Sequence, residues 1–277
     1  AESAQFIILF DDELALKLGA NILGAANEVY IAADGHKKSI TGPGLGNYLS
    51  MAKAVAATKN VIGKEALKNR TFVQAHGTGT PQNRTTESHI LSQIAGIFGI
   101  ENWPIAAVKS YLGHSIASSA GDQLAATLGS FAHGILPGIL TIDEIAQDVT
   151  QENLDFLLAH RELPLNSIDA TIINSKGFGG NNASASILAP HIVEKMLEKR
   201  HGATALKDYK KRNQQVADKT AAYDQAMIEG RNNTIYKFDH NVLDNESLEM
   251  NESKISINEI EPSISLEFES SYADMCK

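Results

Sequence analysis

Three short, glycine-flanked clusters hold the side chains of this chain best suited to chemistry. The first, His76-Gly77-Thr78-Gly79-Thr80-Pro81, follows the apolar run Phe72-Val73-Gln74-Ala75. A histidine followed by two threonines, with glycines that let a ligand approach the backbone, can polarise a carbonyl and hold a polar arm. The second, Lys109-Ser110-Tyr111-Leu112-Gly113-His114, follows Ala106-Ala107-Val108. The third is the glycine-rich turn Asn174-Ser175-Lys176-Gly177-Phe178-Gly179-Gly180-Asn181-Asn182, which presents one phenylalanine. Each alone has an ordinary explanation in turn glycines, a hydrogen-bonded histidine or a core aromatic. Two histidines, a lysine and a loop aromatic in this order argue for one site.

The elements that would position these clusters alternate between strand and helix. Strands are expected at Gln5–Phe10, Glu28–Ala33, Thr71–Ala75, Ile105–Val108, Ile168–Asn174 and Ala183–Leu188. The last two read as antiparallel neighbours across the turn 177–182. Helices are expected after Asp11-Asp12-Glu13, whose acids suit a helix start, and at 47–58, 86–98 and 118–133. Each cluster thus sits just past a strand end, where α/β folds place their chemistry. The alternation indicates a layered α/β domain. Residues 191–229 read as a long, basic, amphipathic helix outside that pattern. The Gly42–Gly46 loop lacks both the Gly-Lys-Ser/Thr ending of a phosphate loop and a dinucleotide fingerprint, so it reads as a turn before a helix.

Composition narrows the function classes. The 277 residues carry a net charge of −9, with 43% hydrophobic and 21% charged side chains, as in an ordinary globular protein. The charge is uneven: net −5 over 1–190, +4 over 191–237 and −8 over 238–277. The acidic balance argues against nucleic-acid binding, which needs a basic face. No apolar run reaches the length of a membrane span, and Ala1–Gln5 lacks the basic region of a signal peptide. No membrane association and a cytoplasmic setting are the expectation. The lone Cys276 excludes an intramolecular disulfide and a CxxC metal site, so no metal is expected. The acidic last forty residues are expected to be extended or partly disordered. Within them Lys254–Ile257 and Ile264–Phe268 alternate as edge strands do.

In this order the three motifs resemble the C-terminal half of β-ketoacyl-[acyl-carrier-protein] synthases, the condensing enzymes of fatty-acid and polyketide synthesis. The resemblance covers about 1–190, where Ala1-Glu2-Ser3-Ala4 resembles the opening of that half's first strand. It implies an α/β, thiolase-like fold, here a layered αβα mixed sheet, followed by a helical extension (191–237) and an acidic tail (238–277). The implied activity is decarboxylative condensation of malonyl-carrier protein with an acyl or acetyl primer. His76 and His114 resemble the family's paired catalytic histidines and Lys109 its lysine. Thr78 and Thr80 resemble the threonines that bind the phosphopantetheine arm. Phe178 resembles the gating aromatic, with Gly179 and Gly180 freeing its backbone. No cofactor is implied beyond the phosphopantetheine that the substrate carries. The implied partners are an acyl-carrier protein, a second copy in a homodimer, and an N-terminal half bearing the nucleophilic cysteine.

The departures from the family are specific. No cysteine stands near the histidines, and Cys276 lies in a setting unfavourable to a thiolate. The segment after His114 is one residue longer than in the common elongating enzymes, which leaves Asp122 as the candidate partner of Lys109. Lys176 stands where the family often has an aromatic, and the frequent Asp after the threonine motif is absent. The extension past 190 resembles the longer, FabY-like bacterial subclass. Its basic Lys207, Lys210, Lys211 and Arg212 would meet an acidic carrier protein; the plainer reading is a solvated helix face. Two alternatives stay open: a non-catalytic scaffold subunit of the chain-length-factor kind, against which the retained histidines count, and a polyketide ketosynthase.

Overall fold

A computed structural model describes residues 1–35, 44–231, 236–240, 247–257 and 260–275. Residues 41–43 of the glycine loop and Cys276 lie outside the described residues. The chain divides into two compact units, 1–220 and 221–277.

The first unit opens with α1 (Asp12–Leu18), β1 (Ala25–Ala33), α2 (Leu45–Ile62), α3 (Lys64–Asn69), β2 (Thr71–Gln74) and α4 (Pro81–Phe98). It continues with β3 (Trp103–Ala106), the short α5 (Lys109–Leu112), a 3-10 turn at Ile116–Ser118, α6 (Ser119–His133) and β4 (Ile135–Leu136). Then come β5 (Leu154–Phe156), β6 (Arg161–Glu162), β7 (Ala170–Gly177), β8 (Asn181–Leu188) and α7 (Pro190–Ile228), which is interrupted at Gly202. Asp11 caps α1 by accepting the Leu14 N–H at 2.7 Å, as its acidic start suggested.

Six strands form one mixed sheet in the order β1-β8-β7-β2-β3-β5. The β1, β8 and β7 pairings are antiparallel, and those of β7, β2, β3 and β5 are parallel. Successive strand residues face opposite sides, and the core divides accordingly. Val73, Ile105 and Ile172 pack under α2 and α4 with Met51, Leu91 and Ile94. Phe72 and Ile173 pack on the other face against Phe131 of α6. The result is the expected αβα layering, with a mixed sheet at its centre.

The expected strand 5–10 has no regular structure. Phe6 is 98% exposed, and no described neighbour offers it a ladder, which a strand needs for its backbone groups. Past residue 190, the first stretch of α7 is part of the first unit. Val193, Leu197, Leu206 and Tyr209 pack on Leu16, Ala170 and Leu188. Arg212 caps α1 by donating twice to the Leu16 carbonyl, and Lys210 pairs with Glu194 at 2.8 Å. Two of the four basic residues raised above are therefore tied to this layer. In the second unit, β9 (Leu248–Met250), β10 (Lys254–Ile257) and β11 (Ile260–Ser265) form an antiparallel sheet with β10 in the middle. Lys254–Ile257 is thus a central strand, more ordered than its composition suggests. Among the described residues no helix is long and apolar enough to cross a membrane, and no cluster of three metal-ligating side chains occurs.

A buried latch joins the start of the sheet to α7. Asp169 accepts from Arg70 at 2.7 Å and from His191 at 2.8 Å. Burial alone would raise its pKa; the bonds from Arg70 and His191 outweigh that and hold it below the usual carboxylate range. A group depressed in this way stabilises the fold above its unfolded pKa, and the contribution is lost as pH falls through the folded value. Asp169→Asn is expected to cost about 2 kcal/mol near neutrality, the range of a hydrogen bond to a charged group. In urea titrations the gap between variant and wild type should close in acid; a gap independent of pH would count against the charge.

Candidate active site

The three clusters converge at one end of the sheet. β2 runs straight into His76, β3 leads through Ala107 and Val108 to Lys109, and the β7–β8 turn carries Phe178. The close approach of the first two turns depends on Gly77. It sits at φ +57°, and a Cβ there would lie 2.7 Å from that of Ala107, so a larger residue would push the turns apart. All three clusters line one cleft of about 1110 Å³, walled on another side by Ile139, Ile142 and Val149 of the loop between β4 and β5. Arg84 of α4 anchors that loop through a two-pronged ion pair with Asp148, both bonds 2.8 Å.

The rings of His76 and His114 lie 5.3 Å apart, nearly perpendicular at 83°. The Nδ1 of His76 accepts the Lys176 backbone N–H at 3.3 Å, and that of His114 accepts the Ile116 N–H at 3.0 Å. An Nδ1 that accepts carries no proton, so the N–H of each neutral ring is at Nε2. Burial pushes the His76 pKa down to about 4; Glu87 opposes this, while Lys109, His114 and Lys176 reinforce it. Burial, followed by Lys109, also lowers that of His114. At neutral pH the site presents two uncharged N–H donors.

Thr78 and Thr80 also line the cleft, their hydroxyls 3.4 Å apart. Phe178 is 75% exposed at the rim, followed by Gly179 and Gly180 at φ +83° and +79°. The ammonium of Lys109 is buried and makes no hydrogen bond among the described residues. Burial lowers its pKa, countered first by Glu87 and then by Asp122. Asp122, expected to pair with Lys109, instead accepts hydrogen bonds from Ser115, at 2.5 Å, and from Gln5. It reaches Lys109 only through space.

Two residues outside the sequence-based set organise the site. Glu87, 4% exposed, accepts four N–H groups: those of the His76 backbone and the Asn174 amide, both at 2.7 Å, and those of the Gly77 backbone and the Asn83 amide, both at 2.9 Å. Burial would raise its pKa; His76, the Gly77 N–H, Lys176 and Asn174 outweigh that and hold it ionised. Its signal in the sequence was a carboxylate one helical turn past Asn83. Gln123, fully buried, donates to the carbonyls of Gln74, Ala75 and Asn174 and accepts from Ser175 at 3.0 Å. It ties together the ends of β2 and β7, the strands that carry His76 and Lys176.

Residues 23–143 match the family described as Beta-ketoacyl synthase, C-terminal domain. The chain is 48% identical over 258 residues to the β-ketoacyl-[acyl-carrier-protein] synthase FabY of Pseudomonas aeruginosa, covering 93% of this chain and 40% of that protein. It is 27% identical over 183 residues to the 3-oxoacyl-[acyl-carrier-protein] synthase 2 of Synechocystis, covering 66% of this chain and 42% of that one. Its fold superposes on the crystal structure of the P. aeruginosa ketosynthase FabY with a TM-score of 0.87 at 44% identity, over 96% of this chain and 42% of the other. The ishigamide ketosynthase/chain length factor superposes with a TM-score of 0.54 at 26% identity, over 64% of this chain and 40% of that one. The chain spans about two fifths of the length of these relatives. It carries a β-ketoacyl synthase C-terminal domain in the thiolase-type fold of the condensing enzymes.

Proposed function

We propose that this chain is the C-terminal catalytic part of a fatty-acid β-ketoacyl-[acyl-carrier-protein] synthase, completed by an N-terminal half that supplies a cysteine nucleophile. The observation that carries the reading is the pair of neutral imidazoles, each fixed by a backbone N–H at Nδ1 and both lining one cleft. In the reaction, the bond between the malonyl carboxylate and its α-carbon breaks and carbon dioxide leaves. The electron pair left behind gives an enolate, whose oxygen takes hydrogen bonds from the two Nε2–H groups. Its carbon then attacks the acyl thioester on the cysteine, a carbon–carbon bond forms, and the thiolate departs. Donors already in place stabilise that developing charge without reorganising.

In this reading Lys109 supplies a buried positive charge beside the histidines. Thr78 and Thr80 hold the phosphopantetheine arm of an acyl-carrier protein, so no further cofactor is required. Phe178 is the gate, and Gly179 and Gly180 are the hinge on which it moves. The enzyme works as a cytoplasmic homodimer, with 1–190 as its catalytic layer, 191–237 as a helical extension and 238–277 as an acidic tail. Fatty-acid rather than polyketide synthesis is favoured by the 48% identity to FabY.

The test is His114→Ala in the complete protein, assayed for malonyl decarboxylation and for condensation. Loss of one such donor is expected to cost about 10²–10³-fold in rate. Undiminished rates in both assays would sink the role given to His114.

A further inference from the structure

Lys176 is a buried charged side chain of this cleft that the proposed chemistry leaves unused. It lies near the end of β7, opposite Asn182 of β8, and is only 6% exposed. Its ammonium is shielded from solvent and makes no hydrogen bond among the described residues. A buried, unpaired ammonium is costly, so this lysine does not serve to stabilise the fold. Two carboxylates compensate it through space, Glu87 first and Asp34 second. Glu87 is itself committed to four N–H donors and so remains a fixed counter-charge.

Its relation to His76 is double. The Lys176 main-chain N–H is the group that holds His76 Nδ1. Its ammonium belongs to the same buried cluster, where it opposes a charge on the ring. We propose that Lys176 is a positioning residue for His76: its main-chain N–H selects the Nε2–H form of the ring, and its ammonium, buried in the same cluster, adds to the surroundings that disfavour a second proton there. The assignment rests on the catalytic reading of His76 given above.

Burial acts on His76 first, and the groups facing the ring add to it or oppose it. Glu87 of α4 favours a protonated ring, whereas Lys109 of α5, His114 after it and Lys176 of β7 oppose one. Asp122 and Asp34 stand behind the two lysines. Protonation would also place a hydrogen on Nδ1, directly against the Lys176 N–H. The ring would have to break that bond and turn, moving Nε2 from its place in the cleft. The lysine therefore protects a geometry as well as a charge state.

The experiment is an NMR titration of the His76 ring in the complete protein, with His76→Asn used to assign its signals. Lys176→Met removes the charge and keeps the length of the side chain. It should move the His76 titration from about 4 upward by about one pH unit, the size of shift a neighbouring charge produces. Lys176→Arg should restore the low value, and Lys176→Gln should reproduce the Met result if the Met protein is poorly folded. The acid limb of the condensation rate should move upward with the ring. A His76 titration unmoved in both neutral variants would overturn the proposal. The titration needs no turnover: if it moves in a protein without synthase activity, the catalytic reading fails while the coupling of Lys176 to the His76 ring stands.

Discussion

Glu87→Ala is expected to cost about 3–5 kcal/mol of folding stability, the range for removing one partner from a buried charged set. The carboxylate receives four N–H donors within 2.9 Å, two from the backbone at the end of β2 and two from asparagine amides. Removing it orphans all four in a region water reaches poorly, and an orphaned buried donor costs about 1–3 kcal/mol. It also takes from Lys109 and Lys176 the carboxylate that opposes their burial most strongly. The loss is comparable to much of the stability of a typical domain. Glu87→Gln keeps the shape but turns an NH2 group toward donors it cannot accept from, and should fall between the variant and wild type. Urea unfolding followed by circular dichroism measures both. A loss below about 1 kcal/mol for Glu87→Ala, less than a single orphaned donor should cost, would show that the four bonds are dispensable.

What was legible in the sequence follows from where information is local. The strand at Thr71–Gln74 announces itself by the apolar pair Phe72-Val73 ahead of a glycine turn, and Ala183–Leu188 by small and apolar residues following one, so the positions of His76, His114, Lys109 and Phe178 at strand ends or the turns after them could be read directly. Glu87 could not, because Arg84-Thr85-Thr86-Glu87 reads as the polar start of a helix. Its burial depends on β2 ending beneath it, a contact between elements. Asp122 and Gln123 show the same limit at the scale of one residue. Adjacent positions on a helix point about 100° apart, so Asp122 turns to Ser115 while Gln123 turns to the sheet. The segment 5–10 has the composition of a strand, yet strand structure requires a neighbour and none of the described residues pairs with it. Burial of Lys176 was equally unreadable, since a lysine beside a glycine turn is ordinarily solvated.

The histidine ring itself permits the sharpest separation of structure from chemistry. The side-chain oxygen of asparagine falls where His76 has Nδ1, whereas the amide nitrogen of glutamine reaches the region of Nε2. His76→Asn should therefore still accept the Lys176 N–H and fold as wild type, yet have nothing to offer a developing oxyanion. Its condensation rate is expected to fall about 10²–10³-fold, the cost of one donor to an oxyanion, with the unfolding midpoint little changed. His76→Gln keeps a donor near Nε2 but leaves the Lys176 N–H without an acceptor. It should retain more activity than the Asn variant while losing about 1 kcal/mol of stability, the worth of one buried hydrogen bond. The two substitutions thus move rate and stability in opposite order. Rates measured on carrier-bound substrates, beside urea midpoints for the same preparations, give the comparison. An Asn variant as active as wild type would mean that Nε2 donates nothing to the reaction, and that His76 serves the fold alone.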